Sequence, residues 1–366
     1  MPIFRKELNF WRINMKTTVI AIIGCGRIAR NAHFPAISNL EDVRIKYACD
    51  IIESKAVEAK KDFPKIENVI TDYKVALADP EVEAVYVLTP NYAHYVITMD
   101  ALKAGKHVFC EKPITINYAL SCEMAEEAKK QNKRLAIGVC NRYHKSVEML
   151  KEYNDEGKFG NIYHIYCSFR SFRSIPGLGG AFTDKSQSGG GVLIDWGVHF
   201  FDLIMYILGD AKLKSVTCDA YSEMAKDMSA YKYEYMWAEE TKDLNGVNDV
   251  DDLITGYIRT DKGTISFNGA WAQNIPNTEM LVDFMGDKAG ARLDYGNKFV
   301  YTDGSTLESN TPDYEITNMY QNESRGFIDS INNGTPNRSD IERVLETAKL
   351  LEALYKSAEL KKEITF

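Results

Sequence analysis

The chain of 366 residues is long enough for about two domains, and its 45% hydrophobic and 26% charged residues are typical of a soluble globular protein. A formal net charge of −8 without a concentrated basic segment argues against a nucleic-acid partner. The apolar runs are shorter than the ~18 residues that a membrane span needs, so no membrane partner is expected.

The cysteines and the N-terminal residues predict a cytoplasmic location. The seven cysteines are scattered and never spaced C-x-x-C, which favours buried reduced thiols in the cytoplasm and no zinc site. Residues 1–16 lack the apolar core of a signal peptide. We expect these residues to form a disordered tail. The alternatives are an arm that packs on a neighbouring subunit, or a natural start of the protein at Met15.

A glycine pattern near the N-terminus predicts a dinucleotide site. The run Val19–Ile23 reads as a buried strand, and the pattern G-x-G-x-x-A at Gly24, Gly26 and Ala29 leads into a helix. The first glycine makes the tight turn, the second lets a pyrophosphate approach the backbone, and the small third residue allows close packing. The N-terminus of the helix then offers free N–H groups to the phosphates.

The second predicted strand ends at Asp50, 24 residues beyond Gly26. A carboxylate at about this distance binds the hydroxyl groups of the adenosine ribose and repels a 2′-phosphate, so the pattern favours NAD over NADP. The alternative is that Asp50 only forms a turn or caps the helix that follows.

Strand-like and helix-like stretches alternate through residues 17–141, which predicts a parallel sheet. The ligands of such sheets bind beyond the carboxyl ends of the strands. The predicted strand ends lie at Gly24, Asp50, 89–91, 111–113 and 141–142.

The apolar run after the three glycines 189–191 contains three polar residues. Asp195, His199 and Asp202 have the spacing i, i+4 and i+7, so on a regular helix they share one face. His199 is the best candidate for a base, because imidazole titrates near pH 6.5; Asp202 is expected to have a structural role. The glycines are expected to let the backbone approach a ligand, with a hinge as the alternative.

Residues 142–366 read as a helix, a series of short strands in an antiparallel arrangement, and a final helix over 339–360 that Ser339 or Asp340 caps. Arg142, Arg170 and Arg173 are candidates for binding an anionic group, although pairing within the protein is the preferred interpretation for at least two of them. Trp237, in a loop rich in aromatic and acidic residues, is a candidate for stacking on a sugar ring.

The stretches GCGRIA, TPNYAH, ALKAGKHVFCEKPIT and GGGVLIDWGVHFFD together resemble the Gfo/Idh/MocA family, over residues 17–366. The resemblance implies an α/β protein with a Rossmann domain over 17–141. It also implies a C-terminal α/β domain over 142–366, with a large, mostly antiparallel open sheet for substrate binding and oligomerisation. The lysine of the family's EKP motif falls on Lys112, and its acid and histidine fall on Asp195 and His199.

The residue patterns and the resemblance to this family together imply a set of site residues. The catalytic residues are Lys112, Asp195 and His199. The NAD-binding residues are Gly24, Gly26, Arg27, Ile28, Asp50, Leu88, Thr89, Pro90, Asn91, His94, Glu111, Lys112 and Asn141. The substrate-binding residues are Lys112, Arg142, Tyr143, Arg170, Asp195, His199 and Trp237. A metal ion is not expected.

The resemblance implies hydride transfer between NAD and a secondary hydroxyl of a sugar, a glycoside or a cyclitol. Residues 172–206 are also similar to family members that oxidise the C3 hydroxyl of glucosides. One alternative is a redox-neutral enzyme that recycles NAD while it cleaves a glycoside by elimination, and another is a sensor of NAD(H) without catalysis. The expected partners are a small carbohydrate and further copies of the chain, in a dimer or tetramer formed through the C-terminal sheet.

Overall fold

The computed structural model describes residues 16–295 and 298–366. The prediction of a tail or an arm over residues 1–16 therefore lies, except for Lys16, outside the described residues. The described chain contains two sheets, each packed against its own helices.

A six-stranded parallel sheet forms the N-terminal half. Its strands are β1 (Thr18–Ile23), β2 (Val43–Cys49), β3 (Asn68–Ile70), β4 (Ala84–Val87), β5 (His107–Glu111) and β6 (Leu135–Gly138). Its helices are α1 (Phe34–Ser38), α2 (Glu53–Asp62), α3 (Tyr73–Ala78), α4 (Asn91–Lys103) and α5 (Tyr118–Lys130). The spatial order β3-β2-β1-β4-β5-β6 is that of a doubly wound dinucleotide-binding sheet, so the predicted Rossmann fold is confirmed.

A nine-stranded sheet forms the C-terminal half. Its strands are β7 (Ile162–Arg170), β8 (Leu213–Tyr221), β9 (Leu253–Thr260), β10 (Thr264–Ala270), β11 (Glu279–Gly286), β12 (Ala289–Asp294), β13 (Lys298–Asp303), β14 (Ser309–Asn310) and β15 (Ile364–Thr365). They lie in the order β14-β13-β12-β11-β7-β10-β9-β8-β15. Strands β7 and β10 are parallel and the other neighbours are antiparallel, which confirms the predicted, mostly antiparallel sheet.

The remaining helices are α6 (Lys145–Asp155), α7 (Lys185–Ser188), α8 (Val198–Leu208), α9 (Met319–Asn332) and α10 (Leu345–Leu360). The final helix begins later than predicted, because a 3₁₀ turn over Ile341–Arg343 precedes it, and neither Ser339 nor Asp340 caps it. The helical segment Lys185–Leu208 is long and apolar enough to cross a membrane. Because 78% of its most apolar stretch is buried inside the fold, this segment is a core helix of the C-terminal half.

Helix α9 was not predicted, and it joins the two halves. Its Phe327 lies in the core of the first sheet, with the ring centroids of Tyr86 and Phe109 at 5.5 and 5.8 Å. Its Arg325 forms an ion pair with Asp42, which precedes β2, at 2.6 Å. The C-terminal half of the chain therefore completes the core of the N-terminal sheet.

The structure corrects the prediction that Arg142 binds substrate. Its guanidinium forms two hydrogen bonds of 2.7 Å with the carboxylate of Asp202 on α8, and both side chains are almost fully buried. It also donates to the carbonyl oxygens of Arg338 and Arg343, while Thr347 on α10 donates to Asp202. Arg142 thus joins three segments of the fold, and Asp202 has the structural role expected of it.

We predict that Asp202→Ala strongly destabilises the protein. The substitution leaves the Arg142 guanidinium buried without its counter-ion, which typically costs about 3–5 kcal/mol. The measurement is the free energy of unfolding from urea denaturation. Asp219→Ala, which removes an exposed partner of Lys361, serves as the control and should change stability little. Equal effects of the two substitutions would contradict the assignment.

Candidate active site

The glycine turn after β1 has the geometry that a dinucleotide needs. Gly24 has a φ of +99°, and a Cβ there would lie 2.5 Å from the carbonyl oxygen of Leu88, so only glycine fits. A Cβ at Gly26 would meet no atom within 4 Å, which leaves open space beside the backbone. Ile28 then begins a π-helix over Ala29–His33. Leu88 thus shapes the turn through its backbone.

Asp50 lies beside this turn, at the end of β2. Its carboxylate accepts hydrogen bonds from the backbone N–H groups of Cys25 and Ile52, each at 2.9 Å. The side chain remains partly exposed. Asp50 therefore organises the turn before α2 and also presents a carboxylate next to the glycines, so its two sequence interpretations are compatible.

The segment after β4 faces the C-terminal half. The Thr89 hydroxyl is buried, and within residues 16–295 and 298–366 it has no hydrogen-bond partner. Pro90 is exposed and directly precedes α4. The side-chain amide of Asn91 donates to the carbonyl oxygen of Ser188 at 2.8 Å, just before the glycine run. Asn91 therefore links the two halves at the cleft.

His94 is fully buried, which corrects the prediction that it binds the cofactor directly. Its Nδ1 lies 2.8 Å from the carbonyl oxygen of Pro113, and its Nε2 lies 2.9 Å from that of Thr89. Burial lowers the pKa of His94, but Cys110 and the two carbonyl acceptors outweigh it and raise the pKa to about 9. A protonated His94 ties the turn after β4 to the turn after β5.

Lys112 reaches across the cleft. Its Nζ lies 3.1 Å from both Oδ1 and the carbonyl oxygen of Asp195, which belongs to a π-helix over Leu193–Gly197. Burial lowers the pKa of Lys112, but the negative charges of Asp195 and Glu111 raise it more, so the ammonium is cationic at neutral pH. π-helical turns often occur at functional sites.

Glu111 is buried beneath Lys112 and does not line the open cleft. This corrects the prediction that Glu111 contacts the cofactor. Its carboxylate is buried, lies 2.6 Å from Nε2 of His33 and accepts the backbone N–H of Lys112 at 3.0 Å. Burial raises the pKa of Glu111, but the hydrogen bond to His33 and the neighbouring positive charges lower it further than burial raises it.

His199 lies one helical turn after Asp195, at the start of α8. Its Nδ1 is buried and has no hydrogen-bond partner among the described residues. Burial lowers the pKa of His199 well below its usual value, and the positive charges of Lys112 and His144 lower it further. At neutral pH the imidazole of His199 is therefore uncharged, which is the form that can accept a proton. The cation of Lys112 acts on it from nearby.

Asn141 and Tyr295 complete this side of the cleft. The amide of Asn141 donates to the hydroxyl of Tyr295 at 3.3 Å, and its own buried Oδ1 is without a partner in the described part of the chain. The Tyr295 ring stacks on Phe200 of α8 at 4.6 Å. Nothing in the sequence distinguishes Tyr295 from the other tyrosines, because only the turn after β12 carries it to the cleft.

The structure places two predicted substrate contacts away from the cleft. The hydroxyl of Tyr143 is buried between Asn337 and Ser339. Arg170 pairs with Glu279 at 3.0 Å. Side chains alternate along a strand, so Arg170 lies on the face of β7 opposite Phe169, which packs on α8. The alternation in the sequence did not show which face was the inner one.

Trp237 and Arg27 meet where the β8–β9 connection reaches the glycine turn. The Arg27 guanidinium lies 5.3 Å from the centroid of the Trp237 ring and forms an ion pair of 2.7 Å with Glu240. The Trp237 ring also packs edge-on against Phe182. Trp237 therefore lies beside the proposed cofactor site, and Arg27 links the two halves.

The three glycines before Asp195 serve packing within the protein, which corrects the expectation of clearance for a ligand. A Cβ at Gly189 would lie 2.4 Å from the side chain of Ile116. At Gly190 it would lie 2.1 Å from the hydroxyl of Tyr355, and at Gly191 1.8 Å from the carbonyl oxygen of Asp251. Side chains at these positions would thus collide with protein atoms.

All seven cysteines are unpaired, and six of them are buried. Over residues 16–295 and 298–366, no group of three or more His, Cys, Asp or Glu side chains is arranged to hold a metal ion.

Comparisons with known proteins match both halves of the chain. A family model described as an oxidoreductase family with an NAD-binding Rossmann fold matches residues 18–139, and the model of its C-terminal α/β domain matches residues 151–366. The D-glucoside 3-dehydrogenase of Escherichia coli strain K12 is 30% identical over 93% of this chain and 95% of its own length. The myo-inositol 2-dehydrogenase of Thermotoga maritima is 26% identical over 87% and 89%.

Solved structures share the fold. A levoglucosan dehydrogenase in complex with NADH and levoglucosan superposes with a TM-score of 0.84, at 20% identity over 96% of this chain and 99% of that one. An aldose-aldose oxidoreductase from Caulobacter crescentus gives a TM-score of 0.81, at 19% identity over 96% of this chain and 100% of that one. The chain belongs to the Gfo/Idh/MocA family and is an NAD-dependent oxidoreductase with a Rossmann domain and the family's C-terminal α/β domain.

Proposed function

We propose that the protein oxidises a secondary hydroxyl group of a sugar, a glycoside or a cyclitol, and that the C3 hydroxyl of a glucoside is its substrate group. The observation that carries the proposal is the contact of 3.1 Å between Lys112 and Asp195, with a neutral His199 one turn further along. A cation and a base at one point of a cleft are the two groups that removal of a hydroxyl proton requires.

The residues present fit NAD. The open space beside Gly26 and the carboxylate of Asp50 suit the pyrophosphate and the adenosine ribose. Two buried polar atoms, Oγ1 of Thr89 and Oδ1 of Asn141, lack partners in the described chain and are available to the nicotinamide half. When bound, NAD supplies the acceptor for the hydride.

Each catalytic side chain then has a separate task. The Lys112 ammonium holds the reacting oxygen and stabilises the negative charge that develops on it. The His199 imidazole accepts the hydroxyl proton, a step that typically contributes about 10²–10⁴-fold to the rate. Asp195 holds Lys112 in place and accepts a hydrogen bond from a neighbouring substrate hydroxyl.

The relatives support a carbohydrate substrate. The D-glucoside 3-dehydrogenase aligns over nearly the whole chain, and the myo-inositol 2-dehydrogenase aligns over most of it. Both names describe oxidation of a ring hydroxyl group. We therefore place glucosides first among the substrates and cyclitols second.

We also propose that the protein is a cytoplasmic homo-oligomer that associates through the C-terminal sheet. Unpaired, mostly buried cysteines are typical of a reducing compartment. On β7 the helices cover the face of Phe169, while His164, Tyr166 and Arg170 on the opposite face remain partly exposed. Sedimentation that finds only monomers at micromolar concentration would refute the oligomer.

The decisive experiment starts with mass spectrometry of the purified protein for bound NAD(H). The protein is then incubated with NAD and a panel of glucosides, free sugars and inositols. We expect NADH formation, detected by its absorbance, and 3-oxo products from glucosides. Release of the aglycone without net NADH would indicate a redox-neutral cleavage instead, and binding of NAD(H) without turnover on any compound would indicate a sensor.

Substitution of Lys112 provides the matched test of the site. We expect Lys112→Met to lower kcat by roughly 100-fold or more, because the charge that stabilises the developing oxyanion is lost. Lys130→Met removes an exposed lysine that pairs with Glu127 of its own helix, and it should leave kcat unchanged. Equal activity of the two variants would show that Lys112 has no catalytic role.

The pH profile tests the state of His199. Since its folded pKa lies well below 6.5, the imidazole remains neutral and active as the pH falls through the ordinary range for histidine. We therefore expect kcat/KM for oxidation to decline only below pH ~6.5, where a free histidine would already be protonated. In Lys112→Met the loss of the neighbouring cation should raise this pKa and move the decline to higher pH. A decline unaffected by the substitution would contradict the coupling.

A further inference from the structure

We propose that Asp251 and Tyr355 form a clamp that positions Asp195 and His199 for catalysis. This inference rests on the proposed function of these two residues. Asp251 lies two residues before the start of β9, and Tyr355 lies on α10. Neither belongs to a motif of the sequence, and both meet the chain at the glycine run, just before the π-helix.

The carboxylate of Asp251 is buried and uses both oxygens. Its Oδ1 accepts the backbone N–H of Gly191 at 2.8 Å, and its Oδ2 accepts that of Leu193 at 2.9 Å. The hydroxyl of Tyr355 donates to Oδ1 at 2.9 Å. The backbone carbonyl of Asp251 also accepts the N–H of Val192 at 2.9 Å. Three successive N–H groups of one segment are therefore bound by a single residue.

The clamped segment leads directly to the catalytic side chains. The carbonyl oxygen of Gly191 accepts the backbone N–H of Asp195 at 3.0 Å. Leu193 is the first residue of the π-helix that carries Asp195, and His199 follows in the first turn of α8. The position of the Asp251 carboxylate thus fixes the start of the helix that places Asp195 against Lys112.

The glycines explain how the clamp reaches the backbone. A Cβ at Gly190 would overlap the Tyr355 hydroxyl, and a Cβ at Gly191 would overlap the backbone of Asp251. Two glycines in succession are therefore required for the approach of these two residues. The glycine run is matched to a buried carboxylate and a phenol rather than to a ligand.

The clamp connects the candidate site to the buried core of the C-terminal half, at β10 and α10. The next residue, Asp252, accepts the backbone N–H of Trp271 at 2.9 Å, and Trp271 is fully buried directly after β10. Tyr355 lies on α10, a helix of 16 residues that packs on that half. Because catalysis depends on a near-attack geometry, a displacement of ~1 Å costs up to about 100-fold in rate.

The test compares Asp251→Asn with Asp249→Asn. Asparagine keeps one acceptor oxygen but points a donor at one of the two N–H groups. Asp249 is the matched control, because its exposed carboxylate accepts one backbone N–H, that of Lys185, outside the clamp. We expect Asp251→Asn to lower kcat by roughly 10- to 100-fold with the Kd for NADH within about 2-fold of the wild type. Asp249→Asn should match the wild type in both.

Two readouts separate positioning from a general loss of structure. Hydrogen exchange should increase over residues 189–199 in Asp251→Asn while the six-stranded sheet stays protected. The acid limb of kcat/KM should also shift, because a displaced His199 is less enclosed and lies differently from Lys112. An unchanged kcat, exchange pattern and pH profile would overturn the proposal.

Tyr355→Phe covers the case in which Asp251→Asn does not fold. It removes only the bond from the hydroxyl and leaves both N–H bonds in place, so we expect a smaller fall in kcat and faster exchange over 189–199. No change in Tyr355→Phe would overturn the clamp. Hydrogen exchange and NADH binding need no substrate, so they decide the inference even if the carbohydrate panel shows that the proposed function is wrong.

Discussion

The contact between Lys112 and Asp195 joins the two halves of the protein at the candidate active site. Lys112 follows a strand of the first sheet, and Asp195 lies in a helix of the second half, so the contact exists only when the two halves are held together. Both side chains remain partly exposed, at 17% for Lys112 and 19% for Asp195. The supporting structure is arranged around keeping this contact in place.

The support comes from buried polar groups rather than from the cleft itself. Glu111 and a protonated His94 hold the turn that carries Lys112, while the ion pair of Arg142 with Asp202 anchors the middle of α8. These groups are costly to bury, and each is compensated by charged or backbone partners. A site that must hold a lysine cation near a neutral imidazole needs such rigid surroundings, because a shift of either group changes the pKa of the other.

The sequence predicted the groups whose roles follow from local patterns. The turn at Gly24 and the acid at Asp50 depend on a single strand–turn–helix unit, and their spacing is fixed by it. It did not predict the partners of Arg142 or Tyr143, because a polar residue after a strand end looks the same whether it faces the cleft or the interior. Helix α9 was missed because few of its residues are apolar, although Phe327 completes the core of the other half.

Motif spacing within one strand–turn–helix unit was enough to predict the Rossmann domain and the preference for NAD. The resemblance to the family predicted the C-terminal domain and the candidate residues Lys112, Asp195 and His199. Which polar residues contact one another depends on the tertiary structure. In the folded chain Tyr295 lies beside Asn141, and Arg170 lies on the face of the sheet opposite Phe169. The glycine run leaves room for the backbone of Asp251. Such contacts join residues far apart in the chain, and their geometry depends on how whole elements pack rather than on any local pattern.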